Sequence, residues 1–207
     1  SLIIVFARNV RKLSRKLIMQ KVFIIFTLVI MGATAAVTTG FYPVAFAGMR
    51  PIFYRTLMSL QQGVTYYLVM QAKSAGEEFD PSVSEHADLL STIKKDSLTL
   101  LIEDAIIVSK GRKLIEDFDA VTKSKGEEAN KNAKNLAKSI EFAYALTRKE
   151  FNKLILLPQA RRDVIRNHLK EKNQTFDEWL KDAKKLKRIK ILFVPYEWDG
   201  ERVRIKN

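Results

Sequence analysis

From Val22 to Met49 the chain has no Asp, Glu, Lys, Arg or His. About 20 helical residues cross a bilayer core, so the run predicts a transmembrane helix over residues 22–49. Its first part, from Val22 to Met31, is dominated by large apolar side chains, and from Gly32 to Gly48 small residues are frequent. Gly32, Ala36 and Gly40 recur at every fourth position, lining one helix face with almost no side chain and inviting close packing by a neighbouring membrane helix. Tyr42 and Pro43 are expected to end or kink this helix near an interface, with Phe41, Phe46, Phe53 and Tyr54 as an aromatic belt.

The flanks decide what such a helix would meet. Residues 1–21 carry Arg8, Arg11, Lys12, Arg15, Lys16 and Lys21 without one acid, interleaved with Phe6, Val10, Leu13 and Leu17. This is a basic amphipathic arm suited to anionic lipid headgroups, and it also has the pattern of a mitochondrial targeting segment. The apolar run that follows is too long for the core of a signal peptide. Its flanking charges place the N-terminus on the matrix or cytoplasmic side. Residues 50–75 have little charge beyond Arg55 but include Gln61 and Gln62, which are costly at a bilayer centre. They are better read as an interfacial or protein-packed helix than as a second membrane helix.

The segment Gly40-Phe41-Tyr42-Pro43, followed by Arg50-Pro51, is similar to the end of the membrane helix in small mitochondrial proteins that assist cytochrome oxidase assembly. The similarity covers only these residues, leaves the C-terminal region unexplained and assigns no family.

Residues 76–82 read as a linker and residues 83–190 as a helical extramembrane domain. Leu90, Ile93, Leu98, Leu101, Ala105 and Val108 form an apolar stripe that resumes at Ile115 and Phe118. Lys123 to Gly126 breaks the pattern, and Glu127 and Glu128 suit the start of a second long antiparallel helix. Leu157-Pro158 should stop that helix, with Pro158 opening another. Thr175 and Glu178 make a capping box ahead of Phe176, Trp179 and Leu180. Residues 191–207 are expected to be an extended tail or β-hairpin turning at Asp199-Gly200, with Pro195 limiting the pairing. The expected fold is therefore mainly α: a transmembrane helix, an amphipathic helix, and an extramembrane helical hairpin or bundle with a short C-terminal β-hairpin or tail.

Chemistry is sparse. The chain has no cysteine, which excludes disulfides, thiolate catalysis and Cys-ligated metals. His86 and His168 lack metal-ligand spacing, and no phosphate-binding glycine loop or nucleophile elbow is present. Glu103-Asp104 and Glu116-Asp117 read as solvated helix faces rather than acid/base pairs. No catalytic residue, cofactor site or metal site is expected. A net charge of +13 calls for an anionic partner. The densest basic surface includes Lys184, Lys185, Lys187 and Arg188, with Trp179, Tyr196 and Trp198 nearby for base stacking, so RNA contact is a rival to a lipid- or protein-facing role.

These readings lead to one expectation: a non-catalytic accessory or assembly subunit of a multi-subunit inner-membrane complex, respiratory or ATP-synthase in kind, in the mitochondrial inner membrane. Its partners would be other membrane-protein subunits and anionic lipid. The alternatives are a membrane-anchored helical scaffold of a bacterial inner membrane and an RNA-contacting protein of a membrane-bound mitochondrial ribosome.

Overall fold

The computed structural model describes residues 27, 30–32, 34–132, 143–185, 188–192 and 195–206. The chain is mostly helical with a small antiparallel sheet, and it divides into two units, Ser1–Tyr42 and Pro43–Asn207. The basic arm, with Arg8, Arg11, Lys12, Arg15, Lys16 and Lys21, lies outside the described residues, as do residues 22–26.

No single helix occupies residues 22–49. The described helical residues of the first unit end at Thr38. Gly40 has φ +70°, the Gly40 N–H donates to the Val37 carbonyl, and the Phe41 N–H donates to the Ala36 carbonyl at 2.9 Å. This is a Schellman closure, which requires a residue that tolerates the left-handed conformation. Beyond it the chain forms β1 (Pro43–Ala47) and β2 (Arg50–Phe53), joined by a two-residue turn with Gly48 at φ +65°. Positive φ at the first turn residue is the requirement of a type II′ hairpin.

Among the described residues no helix is long and apolar enough to cross a membrane. The described residues thus contradict the transmembrane helix expected over 22–49 and, with it, the membrane character expected of the chain. The physical reason is visible in β1, where Val44, Ala45 and Ala47 are completely buried. A strand covered on both faces lacks charge for the same reason that a lipid-facing helix does, and composition alone does not separate the two.

The second unit is arranged around one long helix. β1 is central in a sheet of order β2-β1-β3, where β3 (Ile189–Ile191) pairs antiparallel with it. The Leu192 N–H donates to the Val44 carbonyl at 2.6 Å, and the Gly48 N–H donates to the Arg188 carbonyl at 2.8 Å. Helix α1 (Tyr54–Ala75) follows β2 directly and ends in a second Schellman closure at Gly76, φ +76°. Residues 50–75 are thus a strand and a helix packed on protein, with Leu57, Leu60, Gln61 and Gly63 buried.

Helix α2 (Ala87–Leu114) buries Ile93, Leu98, Ala105 and Val108 of the predicted stripe and Ile102 besides, leaves Leu90 and Leu101 half-buried, and touches α1, the sheet and most later elements. At Asp117, φ +53°, the chain turns into α3 (Phe118–Asn132). Contrary to the sequence reading, α3 passes through Lys123 to Gly126 without a break.

After residues outside the description, helix α4 (Arg148–Phe151) runs through a π turn (Asn152–Leu156) into α5 (Leu157–Lys170). Pro158 does not stop this helix. Proline removes a donor and crowds the carbonyl four residues back, and here the helix ahead of it is widened, with the Leu157 N–H donating to the Asn152 carbonyl. Helix α5 closes on Asn173, φ +54°, in a third Schellman arrangement, and α6 (Phe176–Lys185) begins after Thr175 with half of the expected capping box formed. The Glu178 N–H donates to the Thr175 hydroxyl, which donates to the Glu178 carboxylate at 2.7 Å.

A two-stranded ribbon, β4 (Tyr196–Trp198) and β5 (Val203–Ile205), completes the unit. Its turn is held by Asp199, whose carboxylate accepts from the Glu201 and Arg202 N–H groups at 2.8 Å. The Val203 N–H donates to the Thr99 hydroxyl and ties the ribbon to α2.

The start of α4 is a second capping box. The Glu150 carboxylate accepts from the Thr147 hydroxyl at 2.7 Å and from the Thr147 N–H at 3.1 Å. These bonds, the hydroxyl's first, hold its pKa below the ordinary glutamate value against a small opposing effect of burial. A carboxyl depressed in the folded state contributes stability above its unfolded pKa and loses it as pH falls through the folded value. Glu150→Ala should therefore cost on the order of 1 kcal/mol at neutral pH, a gap that closes below about pH 4. Urea unfolding at several pH values measures it, and a pH-independent gap would exclude this origin.

Candidate functional site

Between Arg55 and Lys73 the chain has no charge, and Val64, Tyr66, Tyr67, Leu68, Val69 and Met70 lie close together in sequence. At 100° per residue these side chains point around the whole circumference of α1. A helix apolar on all sides is ordinarily buried on all sides. Here burial stops at Gly63, where a Cβ would lie 3.0 Å from Leu146. From Val64 to Ala75 no residue of α1 is buried, and Tyr67 is 38% exposed.

The surroundings of this half-helix are open on two sides. A cavity of about 470 Å³ lies between α1 and the start of α2, lined by Met58, Gln61, Tyr66 and Val69 on one side and Leu90 and Ile93 on the other. A second, of about 350 Å³, is lined by Leu68, Ala72, Phe79, His86 and Leu89. The Phe79 and His86 rings are in contact, with centroids 4.5 Å apart. Val83 and Leu89 are both more than 40% exposed, extending the apolar surface across the connection from α1 to α2.

On its inner side α1 is braced by aromatic stacking. Tyr67 lies on Tyr144 with centroids 4.9 Å apart and planes within 9°, and Tyr144 in turn meets Phe151. Burial, then Tyr67, pushes the Tyr144 hydroxyl above its ordinary pKa, so it stays neutral in this apolar setting. Gln61, Gln62 and Thr65 supply the polar groups along the first cavity. The arrangement can bury apolar side chains and offer hydrogen bonds to a peptide backbone, in the manner of binding sites that are mainly apolar with a few polar fixtures.

The residues singled out from sequence are dispersed by the fold. Gly32 and Ala36 lie in the first-unit helix, but Gly40 has left it as the closing residue. Of the basic surface, Lys187 falls outside the described residues and Arg188 is exposed, its carbonyl bound to Gly48. Lys185 pairs with Asp182 at 3.3 Å. Lys184 is drawn inward, only 14% exposed at the side chain, where it pairs with Glu103 at 2.6 Å and donates to the Glu201 carbonyl.

Glu103-Asp104, read as a solvated face, is an internal crosslink. Glu103 joins Lys184 of α6 to Arg162 of α5, the latter at 2.9 Å, while Asp104 holds Arg161 at 2.5 Å. Asp117 forms the left-handed turn after α2. Among the described residues no group of three or more His, Asp or Glu side chains could hold a metal. The uncharged interval between Arg55 and Lys73 is the sequence signal for the α1 surface.

No family model, curated protein or solved structure matches this chain.

Proposed function

We propose that this chain is a non-catalytic accessory protein that acts by binding a partner protein, as a subunit or assembly factor of a larger complex, through the outer half of α1. The observation that carries the reading is the stretch from Val64 to Met70, which apart from Thr65 is apolar around the helix yet at no position fully buried, with Val64 packed on the core and Tyr67 38% exposed. Apolar surface gains about 25 cal/mol per Å² when removed from water, and contiguous patches of this kind mark interaction sites. Of the two carboxylate pairs on the helices, Glu103-Asp104 is held in bridges between helices, which fits this reading.

Photo-crosslinking from a reactive residue placed at Gln71, which is exposed on the outer half of α1 and lines its second cavity, should capture one dominant protein, whereas the same residue at exposed Lys172 should not. Val69→Asp should weaken recovery of that partner at least tenfold, a loss of about 1.4 kcal/mol, with little change in thermal midpoint because Val69 is only half-buried. Equal crosslinking from both positions would overturn the proposal.

A further inference from the structure

Gly126 sits inside α3, where glycine is unfavourable relative to alanine. Steric exclusion does not account for it, since a Cβ at this position would meet only Leu157 Cδ1, at an ordinary 3.8 Å. The missing side chain instead helps open a groove of about 250 Å³ between α3 and the α4–α5 junction. Gly126, Leu156 and Leu157 supply its apolar lining, and Lys123, Lys149 and Lys153 contribute cationic groups. The acid among the lining residues, Glu127, lies 3.9 Å from Lys123, and both side chains are mostly exposed.

The opposite wall is the π turn, a feature often found at functional sites. Its first residue, Asn152, lines the groove and has a buried side-chain oxygen without a hydrogen-bond partner. The groove thus makes two demands on a ligand, negative charge for the lysines and an apolar body for the leucine and glycine lining, and it holds the Asn152 amide, whose covered oxygen a ligand reaches once the side chain rotates.

We propose that this groove binds a short acidic segment of a partner protein, anchored by one large apolar side chain. Carboxylates answer the lysines, the anchor fills the space beside Gly126, and a peptide group satisfies Asn152. Nucleic acid is disfavoured because the lining has no aromatic side chain on which a base could stack. An acyl chain has nothing to offer the amide. This site shares no lining residue with the α1 surface and does not depend on the role assigned there.

The test is fluorescence anisotropy with the whole chain and a fluorescein-labelled peptide of sequence Glu-Asp-Glu-Leu-Asp-Glu. Replacing its leucine by alanine should weaken binding at least tenfold, as should Lys149→Glu combined with Lys153→Glu. Gly126→Leu fills the groove without changing charge and should abolish binding, with folding checked by circular dichroism. If that variant does not fold, the paired lysine variant decides together with the alanine peptide. Lys172→Glu, away from the groove, should leave affinity unchanged. The proposal is overturned if the leucine and alanine peptides bind alike, if the groove variants bind like wild type, or if the peptide does not bind. It is also overturned if a uridine oligonucleotide or phosphatidylglycerol vesicles bind more tightly than the peptide and lose that binding in the same variants.

Discussion

Phe118→Ala should lower stability by about 3–5 kcal/mol, moving the thermal midpoint down by on the order of 10 °C for a chain of this size. Phe118 is 2% exposed and belongs to the core that joins Ile107 of α2, Val164, Ile165 and Leu169 of α5, and Phe176 and Leu180 of α6. Its ring lies flush against Gly111, where a Cβ would come within 2.7–2.9 Å of three ring carbons. Gly111→Ala should therefore be destabilising by about 1–3 kcal/mol through overpacking, even though alanine is favoured over glycine in a helix. In the Phe118→Leu background the clash is relieved, and Gly111→Ala should become neutral or stabilising. A double-mutant cycle by urea unfolding measures the coupling, and strict additivity would show that the ring does not require the glycine.

Glu103→Ala is expected to have an effect of similar size for an electrostatic reason. The Glu103 side chain is 12% exposed and divides its two oxygens between Arg162 and Lys184, whose side chains are 22% and 14% exposed. Removing the carboxylate leaves two cations in a poorly hydrated space, and loss of one member of a buried pair typically costs about 3–5 kcal/mol. Glu103→Gln should also destabilise, because a neutral amide does not compensate both charges. Glu127→Ala provides the contrast: its pair with Lys123 is solvent-exposed, and such a pair contributes between zero and about 1 kcal/mol. Thermal unfolding of the three variants distinguishes these outcomes, and equal effects of Glu103→Ala and Glu127→Ala would mean that the interhelical bridge contributes little. Lys184 belongs to the same unit, so its neutralisation should register as lost stability whether or not any nucleic acid is present.

Local chemistry was largely legible. The Thr175–Glu178 pairing at the start of α6, the Asp199-Gly200 turn and four of the six positions in the α2 stripe, Ile93, Leu98, Ala105 and Val108, follow from interactions within a few residues, and they occur where sequence places them. Asn173 closes α5 in the left-handed region just ahead of Thr175, a conformation that asparagine adopts more readily than most residues. Gly76 was read as linker composition and is the closing residue of α1. Lys123 to Gly126 and Pro158 were read as breaks because propensity disfavours them inside helices. Packing between α3 and the π turn and α5 overrides that propensity, with the π turn accommodating the proline.

The basic stretch near the C-terminus shows what linear charge counting leaves out. A lysine's sequence neighbours predict a solvated face, but Lys184 finds its carboxylate on α2, far away along the chain. Arg161 and Arg162 likewise meet Asp104 and Glu103 only after the long helices are laid side by side.

The uncharged run from Val22 to Met49 was the strongest signal, yet among its described residues Val44, Ala45 and Ala47 are buried while Ile30, Met31, Val37, Phe41 and Met49 are exposed. Burial, however, is a property of the surroundings, and an uncharged run satisfies a bilayer, a helix core and the middle strand of a sheet alike. By itself the sequence determined features of short range: caps, turns, helical period and the absence of charge from Arg55 to Lys73. Only the tertiary structure decided that Pro43 to Phe53 is a β-hairpin, that the paired acids of α2 are crosslinks, and that the described residues cover the outer half of α1 only in part. Each of those outcomes depends on which distant segments arrive to exclude solvent, and that is a matter of contacts between residues far apart in the chain.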